Sequence, residues 1–102
     1  MFVDEKPQGE VTEAPARIER LSQAIRVGAR IRQQCFGSYY IYGGSCAIGA
    51  AAEALNIGSG FWETFNRLFG LDERTWEKII RLNDEFKMSR EEIADWLEAC
   101  GL

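Results

Sequence analysis

The chain of 102 residues contains no histidine and only three cysteines. Histidine is the commonest general base and the commonest metal ligand, so its absence excludes a histidine-paired serine or cysteine nucleophile within this chain. Cys35, Cys46 and Cys100 are odd in number and form no C-x-x-C pair, which indicates reduced thiols rather than a disulfide framework or a zinc cluster. We therefore expect no catalytic residues, no metal and no cofactor.

Long apolar runs are missing as well. No stretch approaches the roughly 18 uncharged residues that would indicate a membrane span. The first residues, MFVDEKPQGEVTEAP, are acidic and polar where a secretory signal would be basic and then apolar. We therefore expect a cytoplasmic protein with no membrane contact. Residues 1–14 have little to bury and are predicted to be a flexible acidic tail, followed by a single helical domain over residues 15–102.

Hydrophobic periodicity predicts helices along most of the domain. The five predicted helices cover about residues 15–34, 46–56, 61–69, 73–83 and 90–100. The second is rich in alanine and glycine, and small side chains let a partner helix approach closely, so we expect it to be the central helix. The pattern predicts an all-α fold, a compact bundle of about five short helices.

Capping residues mark several of the predicted helix starts. Ser45 is the expected N-cap of the second helix and Asp72 that of the fourth, while Ser89 and Glu92 match a capping box before the fifth. Asn83 falls on the apolar face of the fourth helix, where helix termination explains it. Residues 37–44 interrupt the helical pattern and are either a short extended piece or an aromatic loop over the core.

The entry to the second helix is the most unusual stretch, YYIYGGSC. Backbone amides at a helix start favour anions, and a cysteine in the first turn should have its thiolate stabilised. Cys46 is therefore either a reactive thiol with a lowered pKa or a small core residue that follows a tight turn at Gly43 and Gly44. We favour the core residue, because buried cysteine commonly behaves as a small hydrophobe.

A second hypothesis places a small anionic, nucleotide-like ligand at this entry. Tyrosine rings can stack on a base or a sugar, and nearby arginines would attract negative charge. The candidate site residues are Arg26, Arg30, Tyr39, Tyr40, Tyr42, Gly43, Gly44, Ser45 and Cys46. The alternative is that the arginines of the first helix form a solvated face that pairs with the acids of the last helix.

The last two predicted helices have the rhythm of a helix-turn-helix DNA-binding motif. The second of this pair carries Glu91, Glu92, Asp95 and Glu98 against Arg90 alone. Because phosphate contacts supply most of the affinity for DNA, a helix of this charge would be repelled, and we expect no DNA binding. The acidic pairs at 84–85 and 91–92 lack the alternating spacing and glycine of a calcium loop, so no metal site is expected there.

Three short motifs carry a resemblance. CAIGAA (46–51), RLND (81–84) and REEIADWL (90–97) resemble small uncharacterised bacterial and phage proteins that pair a C-A-L-G-A helix with a later N-D and a closing amphipathic helix. The resemblance spans about residues 18–100, with Ile48 where leucine is usual. It implies a helical fold and no established activity or site residues.

The sequence therefore favours a non-enzymatic helical protein-interaction module. Its expected partner is a protein, and in the first place a second copy of the chain. Two features motivate self-association: the density of aromatic side chains and the opposite charges of the first and last helices. Binding of a small anionic ligand at the start of the second helix is the alternative function.

Overall fold

Five α-helices and one short antiparallel ribbon make up residues 18–102, the part of the chain that the computed structural model describes. The elements in chain order are α1 (Leu21–Ala29), β1 (Tyr40–Ile41), β2 (Gly44–Ser45), α2 (Ala47–Ala54), α3 (Phe61–Phe69), α4 (Glu73–Asp84) and α5 (Arg90–Ala99). The predicted all-α bundle of about five short helices is confirmed. The predicted acidic tail, residues 1–14, lies outside the described residues.

Helix α2 is the central element of the core, as its small side chains predicted. Residues 47–52 of this helix are all buried. Helix α1 packs so closely against it that a Cβ added to Gly28 would lie 1.8 Å from the carbonyl oxygen of Ala50. Larger side chains from the other helices complete the core, among them Leu21, Ile25, Phe65, Ile79, Ile93 and Leu97.

The predicted bounds of the first helix, residues 15–34, are wrong. Within the described residues the helix begins after Arg20, whose backbone N–H donates to the Gln23 side chain at 3.0 Å, and it ends at Ala29. Residues 30 and 31 still bond to the last turn of the helix, but residues 33 and 35 bond to Ser45 instead. The Gln33 carbonyl accepts from the Ser45 N–H at 2.9 Å, and the Cys35 N–H donates to the Ser45 carbonyl at 3.0 Å. These long-range bonds replace the helical ones.

Two of the three predicted N-caps are confirmed. The Asp72 carboxylate accepts from the Thr75 N–H at 2.8 Å, and the Ser89 hydroxyl accepts from the Glu92 N–H at 3.0 Å. The prediction for α2 is wrong by one residue, because Cys46 is the N-cap and its Sγ accepts from the Gly49 N–H at 3.4 Å. Ser45 cannot cap the helix, since it belongs to strand β2.

The tyrosine segment is a short hairpin, so the extended alternative is the correct one. Strand β1 pairs antiparallel with β2, with Tyr40 opposite Ser45. The two residues of the turn, Tyr42 and Gly43, have φ angles of 50° and 78°. Two consecutive positive φ angles are typical of a type I′ turn. The hairpin is held against α3 by the Tyr39 ring, whose centroid lies 4.9 Å from that of Phe61.

Opposite charges on α1 and α5 pair within the chain. Arg26 Nη2 lies 2.6 Å from an Asp95 oxygen and 2.8 Å from a Glu98 oxygen. This is the solvated-face alternative that the sequence left open, and exposed pairs of this kind contribute about 1 kcal/mol or less to stability. None of the helices in residues 18–102 combines the length and the apolar character that a membrane crossing needs.

Candidate functional site

A cleft of about 350 Å³ opens where the start of α2 meets the end of α4. Residues 37–39, just before the hairpin, form its third side. Its apolar lining comes from Tyr39, Ile80 and the fully buried Ile48 and Ile79, and its polar lining comes from Ser38, Cys46, Asn83 and Asp84. Apolar walls with a few convergent polar groups are typical of small-molecule sites.

Asn83 organises the polar end of the cleft. Its Oδ1 accepts from Gln34 Nε2 at 2.8 Å and from the Ala47 N–H at 3.2 Å. Its Nδ2 donates to the Cys35 carbonyl at 3.0 Å and to Asp84 Oδ1 at 2.8 Å. These four bonds use the full donor and acceptor capacity of a primary amide. Asn83 is therefore more than a helix terminator: it joins the end of α4 to the start of α2.

Asp84 is held in one orientation by two donors on the same oxygen. Besides Asn83 Nδ2, the Gly37 N–H donates to Asp84 Oδ1 at 2.9 Å. The neighbouring cations are engaged elsewhere, since Arg81 pairs with Glu85 and Lys87 Nζ lies 4.4 Å from the Phe36 ring centroid. Among residues 18–102, Asp84 forms no salt bridge. It is the single charged side chain that lines the cleft.

Cys46 is both a core residue and a wall of the cleft. Its side chain is almost wholly buried, as the favoured interpretation predicted. Burial raises the pKa of the Cys46 thiol and outweighs the backbone N–H groups of Gly49 and Ile48, which lower it. This direction argues against the alternative of a reactive thiol with a lowered pKa, because desolvation disfavours the thiolate more than the start of the helix stabilises it.

Thiol reactivity should follow this burial. At neutral pH we expect iodoacetamide to alkylate the exposed Cys100 at least about tenfold faster than Cys46, because the thiolate is the reacting species. Mass spectrometry of peptides from a time course measures both rates. A Cys100→Ser variant should lack the fast phase. Equal rates at Cys46 and Cys100 would contradict the raised pKa.

The hairpin tip, residues 41–43, is a second unusual feature of this region. Tyr42 is 95% exposed although its backbone is in the left-handed region, with φ of 50°. Beside the tip lies a groove of about 460 Å³. The groove is lined by the hairpin and by the end of α2, where Arg32 and Glu53 form an ion pair at 2.8 Å. An exposed aromatic ring therefore stands next to an open groove.

The structure divides the sequence-predicted site residues among several places. Tyr39 and Cys46 line the cleft, while Tyr40, Tyr42, Gly43 and Gly44 line the groove beside the hairpin. Tyr40 also donates its hydroxyl to the Gly49 carbonyl at 2.9 Å. Arg26 pairs with acids of α5, and Arg30 is exposed as the C-cap of α1. Neither arginine lines the cleft or the groove.

Sequence reasoning missed the role of Arg90. Its guanidinium is buried and donates to Ser45 Oγ at 2.9 Å and to the Arg32 carbonyl at 2.7 Å. Burial lowers the pKa of Arg90, yet an arginine stays protonated in a protein. In the sequence, the only sign of this role was that Arg90 is the lone basic residue of an acidic helix. The position of Asn83 on the apolar face of the fourth helix was recognised, but it was attributed to helix termination.

Comparison with known proteins gave no match to a protein family, to a curated protein or to a solved structure. The resemblance to small bacterial and phage proteins therefore stays a prediction.

Proposed function

We propose that this chain is a non-enzymatic interaction module that associates with a second copy of itself through the hairpin tip. The observation that supports this most directly is Tyr42, which combines a left-handed backbone with 95% exposure. A bulky side chain at positive φ is a genuine outlier and costs about 1 kcal/mol or more. Asparagine or glycine would form the same turn without that cost.

The Tyr42 ring contributes almost no buried surface to the folded chain, because it is nearly fully exposed. A residue that destabilises its own turn and buries no surface is best explained by a contact outside the chain. Tyrosine is among the residues that most often dominate binding energy at protein interfaces. It supplies a large rigid contact with few rotatable bonds. The hairpin tip therefore has the composition of a contact point.

The charge distribution permits a second copy as the partner. The chain carries a net charge of −4, so two copies repel each other over most of their surfaces. Residues 33–52, which include the whole hairpin, contain no charged side chain. Two copies can therefore meet there without opposing like charges. The opposite charges of α1 and α5 no longer support association, since Arg26 pairs with α5 within the chain.

The groove beside the tip provides a place for the partner's ring. In a two-fold dimer each surface patch meets the same patch of the other copy. A tip and a groove that lie side by side suit such an exchange, with each Tyr42 entering the groove of the other copy. The two charged residues that line the groove, Arg32 and Glu53, already neutralise each other.

Replacement of Tyr42 by asparagine tests this function. We expect Tyr42→Asn to weaken self-association at least about tenfold, because an interface anchor is lost. The same change should raise the free energy of unfolding by about 1 kcal/mol, because Asn-Gly is the favoured type I′ pair. Sedimentation over a wide concentration range measures the first quantity, and urea unfolding of the same samples measures the second.

Leu68→Ala is the matched control, since Leu68 is an exposed apolar residue on α3 that does not line the groove. It should leave the association constant unchanged. A wild-type chain that remains monomeric up to millimolar concentration would rule out self-association through the tip. Equal weakening by Leu68→Ala and Tyr42→Asn would show that the association is unspecific.

The anionic-ligand alternative gains no comparable support. The start of α2 already has its Ala47 and Gly49 N–H groups bonded to Asn83 and Cys46. Arg26 and Arg32 are paired with carboxylates. The cleft at this helix start carries the negative charge of Asp84, which would repel an anion.

A further inference from the structure

The negative charge of Asp84 is not explained by its part in the fold. Its Oδ1 accepts two hydrogen bonds, from Gly37 and from Asn83, and both need only a carbonyl-like oxygen. An asparagine at this position would offer the same acceptor without a charge. The fold requires a hydrogen-bond acceptor at this position, but it does not require a negative charge.

The charge also lies at an unfavourable place in its helix. Asp84 is the last residue of α4, where the helix dipole already presents partial negative charge. A carboxylate there is destabilising, whereas a cation next to it would be stabilised by both groups. Within the described residues no lysine or arginine forms a salt bridge with Asp84. A cation from outside the chain would form an ion pair with the Asp84 carboxylate.

The rest of the cleft determines what kind of cation fits. Its accessible apolar surface comes from Tyr39 and Ile80, whereas Ile48 and Ile79, which also line it, are fully buried. A metal ion prefers several oxygen ligands, and no group of three or more metal-ligating side chains occurs within residues 18–102. The cleft volume of about 350 Å³ is at the lower end of the range for small-molecule pockets. These walls suit an organic cation with an apolar body.

We propose that the cleft binds a small organic ammonium, with its nitrogen at the Asp84 carboxylate and its apolar body against Tyr39 and Ile80. Asn83 is then a positioning residue, because all its hydrogen bonds are already used and one of them orients Asp84. The site is separate from the hairpin tip and does not depend on self-association.

Three molecules of matched shape test the proposal: benzylamine, benzyl alcohol and benzoate. We expect benzylamine to bind the full chain at least about tenfold more tightly than benzyl alcohol, and benzoate to bind least. Amide chemical shifts in a titration by nuclear magnetic resonance give each affinity and its location. The shifts caused by benzylamine should be centred on residues 37–39, 46–48 and 79–84.

An Asp84→Asn variant separates charge from shape. It keeps an acceptor for Gly37 and Asn83, so we expect it to fold and to lose the preference for benzylamine over benzyl alcohol. Glu85→Gln, an exposed neighbour that pairs with Arg81 and does not line the cleft, should keep the preference. The comparison of benzylamine with benzyl alcohol in the wild-type chain tests the idea even if Asp84→Asn fails to fold.

Several results would overturn the proposal. They are equal affinities of the wild-type chain for benzylamine and benzyl alcohol, tighter binding of benzoate, shifts centred outside the cleft, and no binding of any of the three. An unchanged preference in a folded Asp84→Asn variant would also overturn it. None of these results bears on the Tyr42 proposal, whose test measures the association of the chain with itself.

Discussion

Gly28→Ala is expected to lower the free energy of unfolding by about 3 kcal/mol or more. The added Cβ would lie 1.8 Å from the carbonyl oxygen of Ala50 and 2.3 Å from its carbonyl carbon. These are backbone atoms of the central helix, so no side-chain rotation can relieve the overlap. Helix α1 must move away from α2, which loosens the packing of the core between them. Urea unfolding followed by circular dichroism measures the change.

Gly58→Ala is the matched control for this prediction. A Cβ at Gly58 meets no atom within 4 Å, and its φ is not positive. We expect this variant to be as stable as the wild type or slightly more stable, because alanine restricts the unfolded chain. If Gly28→Ala and Gly58→Ala were equally stable, the close contact of α1 with α2 would be disproved.

Helices whose ends depend on nearby residues could be predicted well. The third helix was predicted at 61–69 and is found there, because Gly60 and Gly70 at its two ends both take left-handed backbones. The starts at Asp72 and Ser89 were likewise predicted from side chains that bond three residues ahead. Local hydrogen bonds leave a local pattern in the sequence, and such patterns can be read without knowledge of the fold.

Features that depend on distant partners could not be predicted in this way. The first helix stops early because residues 33–35 bond to Ser45, ten residues further along the chain or more. The same contacts place Ser45 in a strand and leave Cys46 to cap α2. Periodicity contains no information about which distant backbone will compete for a hydrogen bond. Tertiary contacts therefore decided the element bounds that were predicted wrongly.

The cleft shows the same division between local and distant information. Gly43 and Gly44 pointed to the turn, and Cys46 pointed to the start of α2, because these residues are neighbours in the sequence. The contribution of Asn83 and Asp84 from α4 depends on a contact made 36 residues away, between Asn83 Oδ1 and the Ala47 N–H. In the sequence, the only sign of this contact was an asparagine on the apolar face of the fourth helix. Buried polar groups of this kind need partners, so an asparagine on an apolar face indicates a long-range network.

Tyr42 and Asp84 share a physical property that makes them functional candidates. Each destabilises its own local structure, Tyr42 through its positive φ and Asp84 through its charge at the end of a helix. A neutral or smaller residue would serve the fold at least as well in both places. Arg90 is the opposite case, since its charge is buried but every contact it makes lies within the chain. It should matter for stability alone.

Arg90→Met is accordingly expected to lower the free energy of unfolding by about 3–5 kcal/mol. Methionine fills part of the space but leaves the carbonyls of Ala29 and Arg32 and the Ser45 hydroxyl without their donor. Each buried acceptor left unsatisfied costs about 1–3 kcal/mol. Thermal and urea unfolding measure the loss.

Two further variants show whether geometry or charge is responsible for that loss. Arg90→Lys retains the charge, but a single ammonium cannot reach β2 and the end of α1 together, so most of the loss should remain. Arg74→Met removes an exposed arginine of α4 and should change stability by less than about 0.5 kcal/mol. A fully stable Arg90→Lys would mean that charge alone matters. Because the guanidinium joins Ser45 of the hairpin to α1 and α5, only its forked shape explains why an arginine is buried here without a carboxylate.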